Sequence, residues 1–209
     1  MTRLRLLALP LLVAVFALGA CAGRAAGPRL VTITRHADEI ARTLETAGWA
    51  GPGLKGPQLY LVSFRTCPYC AVVKRELFPV LQAKGVETRV IVVARRDVHG
   101  FPQSTAAERA TVAELWRTHD WKLYQAWEAV PAQAWKAPGL PAAEGDPART
   151  AAVEAGRHMV DQLVPLLADN GLGFGFPLLV WRDRAGALHA CTCSSPAAYG
   201  IIERDLGVG

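Results

Sequence analysis

Long apolar runs are scarce in this 209-residue chain. Outside residues 6–20, LLALPLLVAVFALGA, none approaches the roughly 18 to 20 residues that a helix needs to cross a bilayer, which excludes a multi-span membrane protein. Charge of one sign is not concentrated either. The formal net charge is +5, Arg3 and Arg5 supply two of those charges, and the rest is dispersed without a basic cluster, so nucleic acid is not an expected partner. There is no internal repeat, heptad array or low-complexity block, which excludes solenoids and coiled coils. The histidines, His36, His99, His119, His158 and His189, lack ligand spacing and read as surface or hydrogen-bonded residues. What the chain does have is apolar material, 51% hydrophobic against 20% charged, enough for one buried core and too much for a disordered protein.

Met1 to Arg5 is a short basic start, and residues 6–20 form an apolar stretch broken by Pro10, the pattern of a secretory signal. Its end, Leu18-Gly19-Ala20-Cys21, resembles the lipobox of bacterial lipoproteins. That resemblance implies lipidation of Cys21 after cleavage and attachment to a membrane through acyl chains. Arg3 and Arg5 are separated by Leu4, so no twin-arginine signature is present. The expected location is the bacterial periplasm, tethered to a membrane, the outer rather than the inner, where folding takes place under oxidising conditions.

With Cys21 set aside, the remaining cysteines form two close pairs, Cys67/Cys70 and Cys191/Cys193. Residues 21–57 read as a tether followed by a helix from His36 to Trp49, with Ile40, Leu44 and Ala47 at helical spacing. Gln58 to Phe64, QLYLVSF, predicts a buried strand, Cys67 to Lys84 an amphipathic helix, and Val86 to Ala94, VETRVIVVA, a second buried strand. Strand, helix, strand in this order is the unit of a parallel pair with a right-handed crossover. Residues 95–170 change to helical texture. Thr105 and Glu108 have capping-box spacing, Leu115, Trp116, Leu123, Tyr124 and Trp127 follow a helical stripe, and Asp146-Pro147 opens a further helix disturbed at Pro165. The tryptophans Trp116, Trp121, Trp127 and Trp135 read as a small core of this insertion. Phe176 to Trp181 and Ala187 to Cys193 predict an antiparallel hairpin, and Ser195-Pro196 opens a last helix.

Cys67-Pro68-Tyr69-Cys70 falls where the first strand gives way to its helix. Two cysteines three apart on a first helical turn share a face and can close a disulfide with little rearrangement. At the helix N-terminus, unpaired backbone N–H groups and the positive end of the dipole favour a thiolate over a thiol. Cys67 is therefore expected to be the nucleophile of disulfide exchange and Cys70 the resolving cysteine, with Pro68 and Tyr69 tuning the pair.

The order strand, C-P-Y-C, helix, strand, helical insertion, Phe-Pro-led hairpin, final helix resembles the thioredoxin superfamily. The insertion makes it look most like the catalytic domain of the periplasmic DsbC/DsbG thiol:disulfide interchange proteins. CPYC is also the glutaredoxin pair, but glutaredoxins are smaller and lack a large insertion. The resemblance implies an α/β fold, a central mixed sheet flanked by helices with an inserted helical subdomain, spanning residues 58–209. It also implies that Pro177 is the cis-proline lining the peptide groove and that Phe176-Pro177 pairs with the substrate strand. Phe176 stands where those proteins usually have Thr, and the region before Gln58 is too short for their separate dimerisation domain.

Cys191-Thr192-Cys193 leaves two readings open: small buried residues on one strand face, or a disulfide or auxiliary redox pair that would require a bulge. The function expected is an extracytoplasmic thiol:disulfide oxidoreductase without a cofactor, acting on cysteine-containing exported proteins and recycled by a membrane redox partner. The alternative is a metal-handling module in which Cys67, Cys70, Cys191 and Cys193 jointly hold copper or zinc, and a third reading is a glutathione-dependent enzyme.

Overall fold

The computed structural model describes residues 30–209; the leader, Cys21 and the tether up to residue 29 lie outside them. The centre is a six-stranded mixed sheet built from β1 (Leu30–Ile33), β2 (Trp49–Ala50), β3 (Gln58–Ser63), β4 (Glu87–Val92), β5 (Leu178–Arg182) and β6 (Leu188–Cys191), in the order β1-β6-β5-β3-β4-β2. β3 and β4 are parallel, and every other pairing is antiparallel. Between β3 and β4 the chain forms α2 (Pro68–Glu76) and α3 (Phe78–Ala83), the crossover expected for that parallel pair.

The strands are apolar on both faces because both are covered. Leu59, Leu61, Val90, Leu179, Trp181 and Cys191 face α2, α3 and α7 (Pro196–Asp205). Tyr60, Val62, Ile91, Leu178, Val180 and Ala190 face α1 (Ala37–Glu45) and the Met159, Leu163, Leu167 stripe of α6 (Pro147–Ala168). Alternation of neighbouring residues between the two clusters is the period of two that a strand imposes. No helix of the described residues is long and apolar enough to cross a membrane.

Four local expectations are revised. The helix expected over 67–84 breaks at Leu77, because Pro79 has no N–H to donate and its ring would collide with the carbonyl one turn back. The helical stripe of the insertion divides into α4 (Ala106–Thr118) and α5 (Trp121–Glu128) at His119, whose φ of 56° ends one helix before Asp120 caps the next. The Thr105–Glu108 capping box forms, as do the Asp146-Pro147 and Ser195-Pro196 starts. The helix expected from His36 to Trp49 stops at Glu45, and Trp49 enters β2. Finally, the sheet takes in residues ahead of 58: β1 pairs with β6 and β2 with β4, so the folded unit reaches back to Leu30.

The insertion has no core of its own. Leu115, Tyr124 and Trp127 belong to the same buried cluster as the α2 face of the sheet, and Trp116, Trp121 and Trp135 pack on that cluster from outside.

Candidate active site

β3 ends at Ser63, and the chain turns through Phe64, Arg65 and Thr66 before Cys67 caps α2. Pro68 occupies the first helical turn, where its missing N–H costs nothing. Cys67 and Cys70 are joined by a disulfide with their Cα atoms 5.2 Å apart. The Cys67 sulfur accepts the backbone N–H of Cys70 at 3.1 Å, so one of the orphan donors of the helix start is spent on the sulfur itself. Cys70 has no solvent contact and Cys67 keeps 3%, beside a Tyr69 that is 61% exposed. Cys67 is thus the only residue of the pair with any opening to solvent, and the opening is narrow.

The Phe176-Pro177 peptide bond is cis. Val62 pairs with Leu178 across the antiparallel β3–β5 ladder, which sets Pro177 at the same sheet end as the exit of β3. Direct contact supports this placement: the Phe64 and Phe176 rings meet edge to face with centroids 5.0 Å apart. Phe174 meets Phe176 the same way at 5.2 Å, so the residue before the cis bond is clasped between two aromatic rings. β4, parallel to β3, ends at the same edge and delivers Arg95, whose guanidinium lies 4.2 Å from the Phe64 ring centroid.

An ionic cluster ties α2 to the insertion. Glu128 at the end of α5 bonds Lys74 of α2 and lies 3.3 Å from an Arg65 nitrogen, and Arg65 also donates to the carbonyls of Trp127 and Val130. Burial pushes the Lys74 pKa down, and the Glu128 carboxylate pulls it back up.

Cys191 and Cys193 are also disulfide-bonded, with Cα atoms 5.3 Å apart. The bulge expected for such a bond is unnecessary because β6 stops at Cys191 and Cys193 lies past its end. Cys191 pairs with Leu179, two residues beyond Pro177, and Thr192 lies against Gly175. The second disulfide therefore backs the cis-proline loop from within the core. The joint metal site does not form: among the described residues no group of three or more His, Cys, Asp or Glu is placed to hold an ion, and the four thiols are consumed in two separate bonds.

No family model matches the chain, and no curated protein matches its sequence. Among solved structures it is similar to a periplasmic thioredoxin-like protein from Salmonella enterica serovar Typhimurium, at TM-score 0.53 and 17% identity, over 81% of this chain and 97% of that one. It is also similar to the catalytic domain of Proteus mirabilis ScsC, at TM-score 0.51 and 16% identity, over 81% of this chain and 94% of that one. The fold is thioredoxin-like. At these identities the likeness is one of backbone, and what the thioredoxin-like fold adds is the reason a strand-to-helix cysteine pair and a cis-proline loop end up at one sheet edge. Phe64 and Arg95 are residues of this edge that the sequence pattern did not single out. Their signal was available: two buried strands predicted parallel must leave the sheet at the same end, so the residues following each are neighbours of the cysteine pair.

Proposed function

We propose that the protein is an extracytoplasmic thiol:disulfide oxidoreductase that exchanges disulfides with cysteine-containing proteins through Cys67 and Cys70. One observation carries the reading: the Cys67–Cys70 disulfide at the first turn of α2, its outer sulfur held by a helix-start N–H, opposite a cis Phe176-Pro177 bond. In the reduced chain the Cys67 thiolate attacks one sulfur of a substrate disulfide; that bond breaks, a mixed disulfide forms, and the departing substrate thiolate takes up a proton. Cys70 then gives up its proton and attacks the Cys67 sulfur, which regenerates the internal disulfide and releases the second substrate thiolate. The substrate gains two electrons and the chain loses two; the same path in reverse oxidises a dithiol. Pro68 and Tyr69 adjust the pair, and Phe176-Pro177 holds the substrate chain by backbone pairing.

The reading includes a periplasmic location, a lipid anchor on Cys21 in the outer membrane and a membrane redox partner that recycles the pair. These rest on the leader and the lipobox resemblance. The 16–17% identity of the structural neighbours leaves the DsbC/DsbG-type assignment on the sequence resemblance alone.

The test is exchange with a scrambled or reduced protein. Cys67→Ala is expected to fall to background, and Cys70→Ala to accumulate mixed disulfides with its substrates because the resolving sulfur is gone. Full activity in Cys67→Ala would remove the proposed nucleophile. Fractionation of wild type against Cys21→Ala tests the anchor: wild type in the membrane fraction and the variant in the soluble one.

A further inference from the structure

A small cavity of about 160 Å³ opens beside Phe176, lined by Ala94, Arg95, Arg96, Arg157, Val160 and Phe176. It is well below the roughly 300 Å³ at which sites for whole small molecules begin, and it is large enough for one side chain. Its charges differ in how far they are already spent. Arg96 is held bidentately by Asp161, with N–O distances of 2.9 and 2.8 Å. Arg157 pairs with Glu154 and donates to the carbonyls of Ala94 and Arg95 at 3.0 and 3.1 Å, so it straps α6 to the end of β4.

Arg95 is different. Among the described residues it has no carboxylate partner; its guanidinium donates only to the Gln103 carbonyl at 3.2 Å, and its Nε–H is buried with no acceptor. Arg65, Arg89 and Arg149 also hold an unbonded buried N–H, but Arg65 and Arg149 are neutralised by Glu128 and Glu114, and Arg89, within β4, donates to the Tyr60 hydroxyl and lies over the Trp49 and Tyr60 rings, none of which borders the cis-proline recess. Packing over Phe64 fixes the Arg95 plane, and Phe64 in turn touches the residue before the cis-proline. The result is an oriented cation with unspent donors, in an apolar-walled recess next to the proposed substrate strand.

We propose that this recess is a subsite for an acidic side chain of the substrate polypeptide, with the Arg95 guanidinium binding its carboxylate. A carboxylate there would neutralise a cation that nothing else pairs, bonding the guanidinium terminus that the Gln103 carbonyl leaves unused, and charge-assisted bonds of this kind are about twice as strong as neutral ones. Phe176, Phe64 and Phe174 would cover the stem of the side chain. The inference names the substrate class of the proposed exchange reaction and rests on that reading for the path of the peptide.

The test uses the full chain and cysteine peptides carrying Asp or Asn at single positions within three residues of the cysteine. Exchange from the corresponding peptide disulfides should favour Asp over Asn at one position on the order of tenfold in kcat/KM, the size of one charged hydrogen bond. In Arg95→Gln that ratio should fall to about one, with Arg95→Lys in between, because a point charge replaces the fork. A second readout needs no exchange: titrating the oxidised protein with the same peptides bearing Ser for Cys, followed by the NMR shift of the Arg95 Nε–H, should saturate with the Asp peptide only. Equal handling of Asp and Asn peptides in both readouts, or a preference that survives in Arg95→Gln, would overturn the subsite. Selective binding of the Ser peptides without exchange of any disulfide would support the subsite and sink the oxidoreductase reading instead.

Discussion

Asp183 shows how much one carboxylate can organise at a turn. Its Oδ1 accepts the N–H groups of Ala185 and Ala187, both at 2.9 Å, and its Oδ2 lies 3.0 Å from His189 Nε2. The other His189 nitrogen reaches Thr32 of β1 at 3.2 Å, so the turn, β6 and the edge strand share one hydrogen-bonded line. The His189 bond, helped by the two backbone donors, holds the Asp183 carboxyl below its ordinary pKa. A carboxylate depressed on folding contributes stability that is present above its unfolded value and is lost as pH falls through its folded one. Asp183→Asn should therefore melt below wild type at pH 7, and the gap should close on acidification into the region where Asp183 itself protonates. Thermal melts of the two proteins across pH 2 to 7 check this; a gap independent of pH would mean that the turn depends on shape and not on charge.

At the scale of elements, the contact between α2 and α5 is the one on which the site leans. Lys74 and Arg65 face a single carboxylate, Glu128, with side chains only 14%, 10% and 22% exposed. Removing the anion leaves two part-buried cations looking at each other, so Glu128→Ala should cost about 3 kcal/mol, the low end for breaking a buried pair because Glu128 keeps some water. Urea unfolding with an unchanged m-value measures it. This tie also shows where sequence reading runs out. Local signals were legible: the Thr105–Glu108 box, the Asp146 and Ser195 caps and the strand-C-x-x-C-helix junction are each written within a few residues, and the helices start where those signals stand. Lys74 and Glu128 are 54 residues apart, and no periodicity links them. Pro79 was visible too, yet the apolar stripe from Val72 to Leu81 runs through it, and the stripe hides a break that backbone sterics impose. β1 and β2 escaped notice for a related reason: strands of four and two residues carry too short an alternation to declare themselves without their partners β6 and β4.

Across the whole molecule, the N-terminal segment, the sheet and the insertion are joined at Trp116. Its indole N–H donates to the Val92 carbonyl at 2.9 Å, at the end of β4, while its ring lies against Gly156 of α6. Gly48, just before β2, completes the slot: a Cβ there would stand 2.2 Å from the Trp116 Cα and 2.6 Å from its Cβ. Those are backbone and first-carbon positions, so no rotamer change can relieve the overlap; either α4 moves away or the β1–β2 segment does. A Cβ on Gly156 would meet the indole ring at 3.1 Å, a contact that a small tilt of the ring can loosen. Two alanine substitutions on the same tryptophan should therefore differ. Gly48→Ala is expected to lose about 3 kcal/mol or more, the upper range of overpacking, and Gly156→Ala to lose about 1 kcal/mol, part of it returned by the better helix propensity of alanine in α6. Chemical denaturation of the two variants, followed by tryptophan fluorescence and circular dichroism together, measures both losses. Coincident transitions in Gly48→Ala would show that β2, α4 and the sheet edge beside Cys67 unfold as one body; an early fluorescence transition with the sheet intact would show instead that the insertion lifts off by itself, taking the Tyr124 and Trp127 packing and the ionic tie at Glu128 with it.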